Sequence, residues 1–133
     1  MDWKYLYTTR DGRIGRQQWW LGLIVLVVAI WIIMFILTML FGQNVTQEVT
    51  STSYSYQSSL TPIGSIIAVI IYIPFLIASI CLSAKRWHDR NKSAWWILIG
   101  LVPIIGGIWA LVENGFLKGT DGPNDYGKDP LAG

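Results

Sequence analysis

Trp19 to Gly42 reads WWLGLIVLVVAIWIIMFILTMLFG, 24 consecutive residues without a charge. As a helix with a rise of 1.5 Å per residue it reaches about 36 Å, more than the roughly 30 Å hydrocarbon core of a bilayer, so it can cross with some tilt. The run is too long for the apolar core of a cleaved secretory signal, and no small-x-small cleavage site follows it. We read it as a retained helix. It has no polar face to present to water, which a helix of a soluble bundle would need.

Two further apolar blocks flank polar stretches downstream. Leu60 to Ala84 is uncharged for 25 residues. Pro62 there suits a first helical turn, and Pro74 predicts a kink whose freed backbone groups can be taken up by neighbouring helices or by Ser79 or Ser83. Trp95 to Val112 runs 18 residues before Glu113 and is interrupted by Gly100, Pro103, Gly106 and Gly107. The chain as a whole agrees: of 133 residues 53% are hydrophobic and 14% charged, with a mean hydropathy of +0.44 and the charges gathered between the blocks. The expected fold class is an all-α membrane protein, a small helical bundle forming one polytopic domain over residues 1–133. Its segments lie near 19–42, 60–84 and 95–117, with an external loop 43–59, a basic cytoplasmic loop 85–94 and a turn-rich tail 118–133. The third segment is kinked or re-entrant at Pro103 to Gly107, and a kinked span is the simpler reading.

Charge orients the chain. The stretch before Trp19 carries Lys4, Arg10, Arg13 and Arg16 against Asp2 and Asp11, a net of +2, and Lys85 to Lys92 carries a net of +3. Gln43 to Ser59 holds no Lys or Arg. Because Lys and Arg are retained on the cytoplasmic side, the N-terminus and the 85–94 loop are expected there and 43–59 outside. The tail, with Lys118 and Lys128 against Asp121, Asp125 and Asp129, is left on either side: external if the third segment spans, cytoplasmic if it re-enters.

Tryptophans mark the block borders. Trp19, Trp20, Trp87, Trp95 and Trp96 are expected as interfacial anchors, since an indole joins an apolar body to one N–H donor. Their position against apolar runs argues against a nucleic-acid stacking surface, and no nucleic-acid partner is expected. The basic residues set topology and can attract anionic lipid headgroups. Gly12 and Gly15 predict a turn that gathers Arg10, Arg13 and Arg16. His88 beside Asp89 is the single histidine and Cys81 the single cysteine, too few for a zinc site or an internal disulfide. No nucleophile stands with them, so neither an enzyme nor a cofactor is expected. Glu113 is expected as a solvated residue at the membrane rim.

Taken as a set, Gly12-Arg13-Ile14-Gly15-Arg16 with Trp19-Trp20, then Lys85 to Arg90 with Ser93-Ala94-Trp95-Trp96, then Pro103 with Gly106, and last Gly119 to Pro130, resembles the bacterial family DUF805. The resemblance covers nearly all of the chain apart from the loop 43–59. It implies a bacterial inner-membrane location and carries over no catalytic residue. Members often have Leu where this chain has Trp87, and Asn-Arg where it has Asn124-Asp125, so no tail arginine transfers.

These readings point to an integral inner-membrane protein of structural or accessory role, with membrane lipids, a second copy or another membrane protein as partner. The alternative is a small channel or transporter using the broken third helix. If the tail is cytoplasmic, the acids Asp89, Asp121, Asp125 and Asp129 can pair with Arg10, Arg13, Arg16, Arg86 and Arg90, with His88 among them. An Arg13–Asp125 pair is the specific expectation.

Overall fold

The computed structural model describes residues 2–50 and 53–131, with backbone alone over 44–50 and 53–58. The described chain is mostly helical. Helix α1 (Trp3–Thr8) is capped by Asp2, whose carboxylate accepts from the Tyr5 amide at 3.1 Å. Helices α2 (Arg16–Phe41, 26 residues) and α3 (Pro62–Asp89, 28 residues) are each long and apolar enough to cross a membrane. Their most apolar windows are only 6% and 11% buried within the protein, unlike core helices of a soluble fold, whose apolar faces are covered.

Two compact units make up the chain, Val27–Phe75 and Met1–Leu26 with Leu76–Gly133. In the first, the stretch expected as a loop over 43–59 is instead a hairpin of β1 (Gly42–Thr50) and β2 (Ser53–Leu60), paired from Gly42 with Leu60 to Thr50 with Ser53. Val, Thr and Tyr are frequent along it, and these residues favour extended backbone over a loop. Its tip, 51–52, lies outside the described residues. Thr61 then starts α3: its hydroxyl accepts from the Gly64 amide at 3.3 Å, and its own amide donates to the Phe41 carbonyl at 2.9 Å.

In the second unit a core of Leu6, Ile14, Trp19 and Leu82 is flanked by Tyr7, Trp20, Leu23 and Leu26. The expected loop 85–94 is corrected here, because α3 continues through Lys85–Asp89 and stops only where Asn91 takes a left-handed φ of 57°. The Lys92 amide then bonds the Trp87 carbonyl at 2.9 Å and the Asn91 amide bonds the His88 carbonyl at 2.9 Å, a paired closure of the helix end.

The third apolar block is not one long helix. A 3₁₀ helix (Ala94–Leu101) gives way to a reversal, then to α4 (Ile105–Leu111) and a π-helical turn (Val112–Phe116). At the reversal Ile104 has φ 64° and ψ −63°, and the Ile105 amide reaches back two residues to the Pro103 carbonyl at 2.7 Å. That is a γ-turn of the strained, positive-φ kind. Gly106 packs so closely on the Ile99 carbonyl that a Cβ would overlap it, and the Trp96 and Trp109 rings lie 6.4 Å apart. The chain therefore doubles back on itself.

Candidate functional site

The last turns of α3 place Leu82, Lys85, Arg86 and Asp89 on one stripe, at i, i+3, i+4 and i+7, and all four are buried. Burying a charge is costly unless it is paired and hydrogen-bonded. Asp89 meets that requirement by accepting from two guanidinium groups. Arg13 Nε reaches its Oδ1 at 3.0 Å, and Arg86 Nη1 reaches its Oδ2.

The remaining guanidinium donors go to backbone carbonyls. Arg13 Nη1 donates to Gly122 at 2.7 Å and Gly127 at 3.2 Å, and Nη2 to Thr120 at 2.6 Å. Arg86 Nε donates to Asn114 at 2.6 Å and Nη2 to Leu117. One carboxylate and two guanidinium groups thus fasten the loop after α1, the end of α3, the π-helical turn and the tail to one another. The Asp89 backbone carbonyl adds a bond from the Thr120 amide at 2.7 Å. Gly119 lies so close to this carboxylate that a Cβ would overlap it. We refer to the cluster as the latch.

Around the latch, Lys85 donates to the carbonyls of Tyr5 and Leu6 in the last turn of α1, with its ammonium 4.4 Å from the Tyr5 ring centroid. His88 Nδ1 lies 3.0 Å from the Gly12 carbonyl. A carbonyl only accepts, so Nδ1 carries the proton. The ring stacks on Tyr126 at 4.1 Å with planes 3° apart, and Asn124 Nδ2 donates to the His88 carbonyl at 2.9 Å. Asp129 accepts from the amides of Leu131 and Gly122, both at 2.9 Å, and these bonds hold its carboxyl below the usual carboxylate range. Lys118 is exposed, and its bond to Asp121 at 2.7 Å holds its ammonium above the ordinary lysine value.

The structure brings together Arg13, Arg86 and Asp89, with His88 and Asp129 alongside, and does not gather the other expected residues into the same cluster. Arg16 donates to the Phe116 carbonyl at 2.9 Å, and Arg90 pairs with Glu113 at 3.2 Å. Asp121 is on the surface with Lys118, while Arg10 makes no hydrogen bond among the described residues. Arg13 faces Asp89, not Asp125. Asp125 is exposed, and its amide donates to the Asn91 side chain at 3.3 Å.

Three further expectations are corrected. Glu113 is 8% exposed, not solvated, because the doubled-back chain sets it against both Arg90 and Lys92. Trp87, at 1% exposure, packs inside, stacked 5.9 Å from Trp96 with the Lys92 ammonium nearby. Trp19 is buried in the core as well. Trp95 and Trp96 are exposed, and half-buried Trp20 donates to the Gly115 carbonyl at 2.9 Å. The acceptors on Thr120, Gly122, Gly127, Asn114 and Leu117 had no signal in side-chain chemistry, since they are main-chain oxygens.

The model of the family described as "Protein of unknown function (DUF805)" matches residues 7–128. The chain is 28% identical over 135 residues to inner membrane protein YhaH of Escherichia coli (strain K12), covering 98% of this chain and 97% of that one. It is 29% identical over 128 residues to inner membrane protein YhaI of the same strain, covering 96% and 90%. No solved structure matches. Relatives in the inner membrane accord with the two long apolar helices. The family match takes in the latch, both of those helices and most of the tail, and the chain therefore belongs to the bacterial DUF805 family.

Proposed function

We propose that this protein is a structural or accessory component of the bacterial inner membrane, with lipid as its immediate partner and with its N-terminus and a cap, made of the latch and the segments it fastens, at the cytoplasmic surface. In this reading α2 and α3 cross, and the third apolar segment enters from the cytoplasmic side and returns. The 3₁₀ helix and α4 are eight and seven residues long. At their respective rises they reach about 16 Å and about 10 Å, no more than about half the core. Strained backbone at that depth is tolerated where protein or water surrounds it.

The observation that carries the reading is the state of the latch. Arg13, Arg86 and Asp89 have their polar atoms engaged by one another and by main-chain carbonyls, leaving nothing open for a substrate. Groups held in this way fasten a fold; they do not turn over a reactant. The break at Pro103 to Gly107 favours the second reading, a channel or transporter, because interrupted helices line such sites. Purified protein in sealed liposomes separates the two. Release of trapped ions and small solutes at the rate of protein-free vesicles is the expected result, and release that scales with the number of protein copies overturns the accessory reading.

A further inference from the structure

Beside the latch lies a cleft of about 580 Å³ with two unlike walls. Ile80, Ala84, Trp95, Ile97 and Leu98 make an apolar wall, and Ile80, Trp95 and Leu98 continue it onto the exposed apolar surface. Arg10, Asp11, His88, Ser93 and Tyr126 make a polar one. An apolar wall open to the lipid-facing surface and a polar wall at the headgroup level match an amphiphile in its membrane orientation.

The polar wall has chemistry left over. Among the described residues, the Arg10 guanidinium and the Asp11 carboxylate make no hydrogen bond or ion pair, and the hydroxyls of Ser93 and Tyr126 make none either. His88 is 7% exposed, and Nδ1 already donates to Gly12. Its Nε2 has no partner among the described residues and is not sealed from solvent. In the neutral ring, the ordinary form at pH 7, that nitrogen is an acceptor. The wall thus offers one cation for a phosphate, and an anion with a neutral acceptor for a donor-bearing cation. Its net charge is zero, which does not favour a simple anion.

We infer that this cleft binds the headgroup of a phosphoethanolamine lipid, with Arg10 on the phosphate, Asp11 and His88 Nε2 on the ammonium, and an acyl chain along Ile80, Ala84 and Leu98. The inference rests on the proposal that the cap sits at the cytoplasmic membrane surface. Choline lipids share the phosphate and the charge but have no N–H to donate. Glycerol lipids have hydroxyls and a net negative charge.

The test is lipid retention by the full-length protein in detergent, read by native mass spectrometry against ethanolamine, choline and glycerol phospholipids of identical acyl chains. Retention of the ethanolamine lipid at about tenfold higher affinity than either other is expected, the scale of one charge-assisted hydrogen bond. Arg10→Gln should lower it about tenfold, and Asp11→Asn should bring it near the choline lipid, with the lipid-free melting midpoint unmoved in both. Equal retention of all three lipids, glycerol lipid ahead of ethanolamine lipid, or both variants behaving as the parent overturns the inference. The side of the cap is measured separately by thiol labelling of the tail. Absent selectivity with a cytoplasmic cap removes this inference alone, whereas a periplasmic cap removes the reading beneath it.

Discussion

Asp89 is the single carboxylate between two buried guanidinium groups, so neutralising it strands two cations away from water. Asp89→Asn should cost about 3–5 kcal/mol, seen as a lower melting midpoint in detergent and faster proteolysis of the tail. Asp125→Asn, at an exposed carboxylate, should stay within about 0.5 kcal/mol of the parent. Equal effects at the two positions would show that the latch does not hold the cap. Sequence could name Arg13, Arg86 and Asp89 as partners in a polar network, yet it drew Arg13 toward Asp125, because opposite charge in a tail is visible and main-chain carbonyls are not. The stripe Leu82, Lys85, Arg86 and Asp89 held the missing clue: helical spacing continued beyond Ala84, where the change to charged residues suggested a loop.

For the elements, the chain reverses at Ile104, among the proline and glycines of the third apolar block, and the neighbouring glycines separate what the reversal requires from what only accompanies it. Gly106 is buried against the Ile99 carbonyl, whereas Gly107 is exposed with open space around its Cα. Gly106→Val should push α4 off the 3₁₀ helix at a cost of about 1–3 kcal/mol and shift the emission of the Trp96 and Trp109 rings packed across that contact. Gly107→Ala should be neutral or raise stability by about 0.5–1 kcal/mol, as expected of a helical glycine replaced in free space. Similar losses in both would mean the two short helices do not pack as described. The hairpin after α2 was not legible, because a polar stretch between two apolar helices reads as a loop until its Val, Thr and Tyr content is weighed. In the tail, turn residues were legible but their anchoring was not. The depressed Asp129 carboxyl contributes binding of the tail that is fully present above the ordinary carboxylate range and lost as pH falls through its own lower value. Proteolytic protection of the tail should therefore hold from pH 7 to 5 and fall only in stronger acid, and Asp129→Asn should lower the protection at pH 7 and make the acid loss smaller.

At the level of the whole molecule, the path of the third segment and the side of the tail are one question. Lys92 and Glu113 are bonded to each other although the apolar block lies between them, so the chain enters and leaves that block at the same place. Arg13, on the N-terminal side of α2, is bonded to Thr120, Gly122 and Gly127 of the tail. A full crossing between Lys92 and Glu113 would set these partners on opposite faces of the bilayer and break every one of those bonds. With Cys81→Ser as background, Lys128→Cys reports the tail and Ser59→Cys the end of the hairpin, both at exposed positions. An impermeant thiol reagent that reaches the periplasm of intact cells should label Ser59→Cys at once and Lys128→Cys only after permeabilisation. Labelling of both in intact cells would require three crossings, and the latch could not then exist in the membrane. Bonds of the cap join residues on both sides of the interrupted segment, so the folded cap, rather than hydropathy alone, should decide where that segment turns.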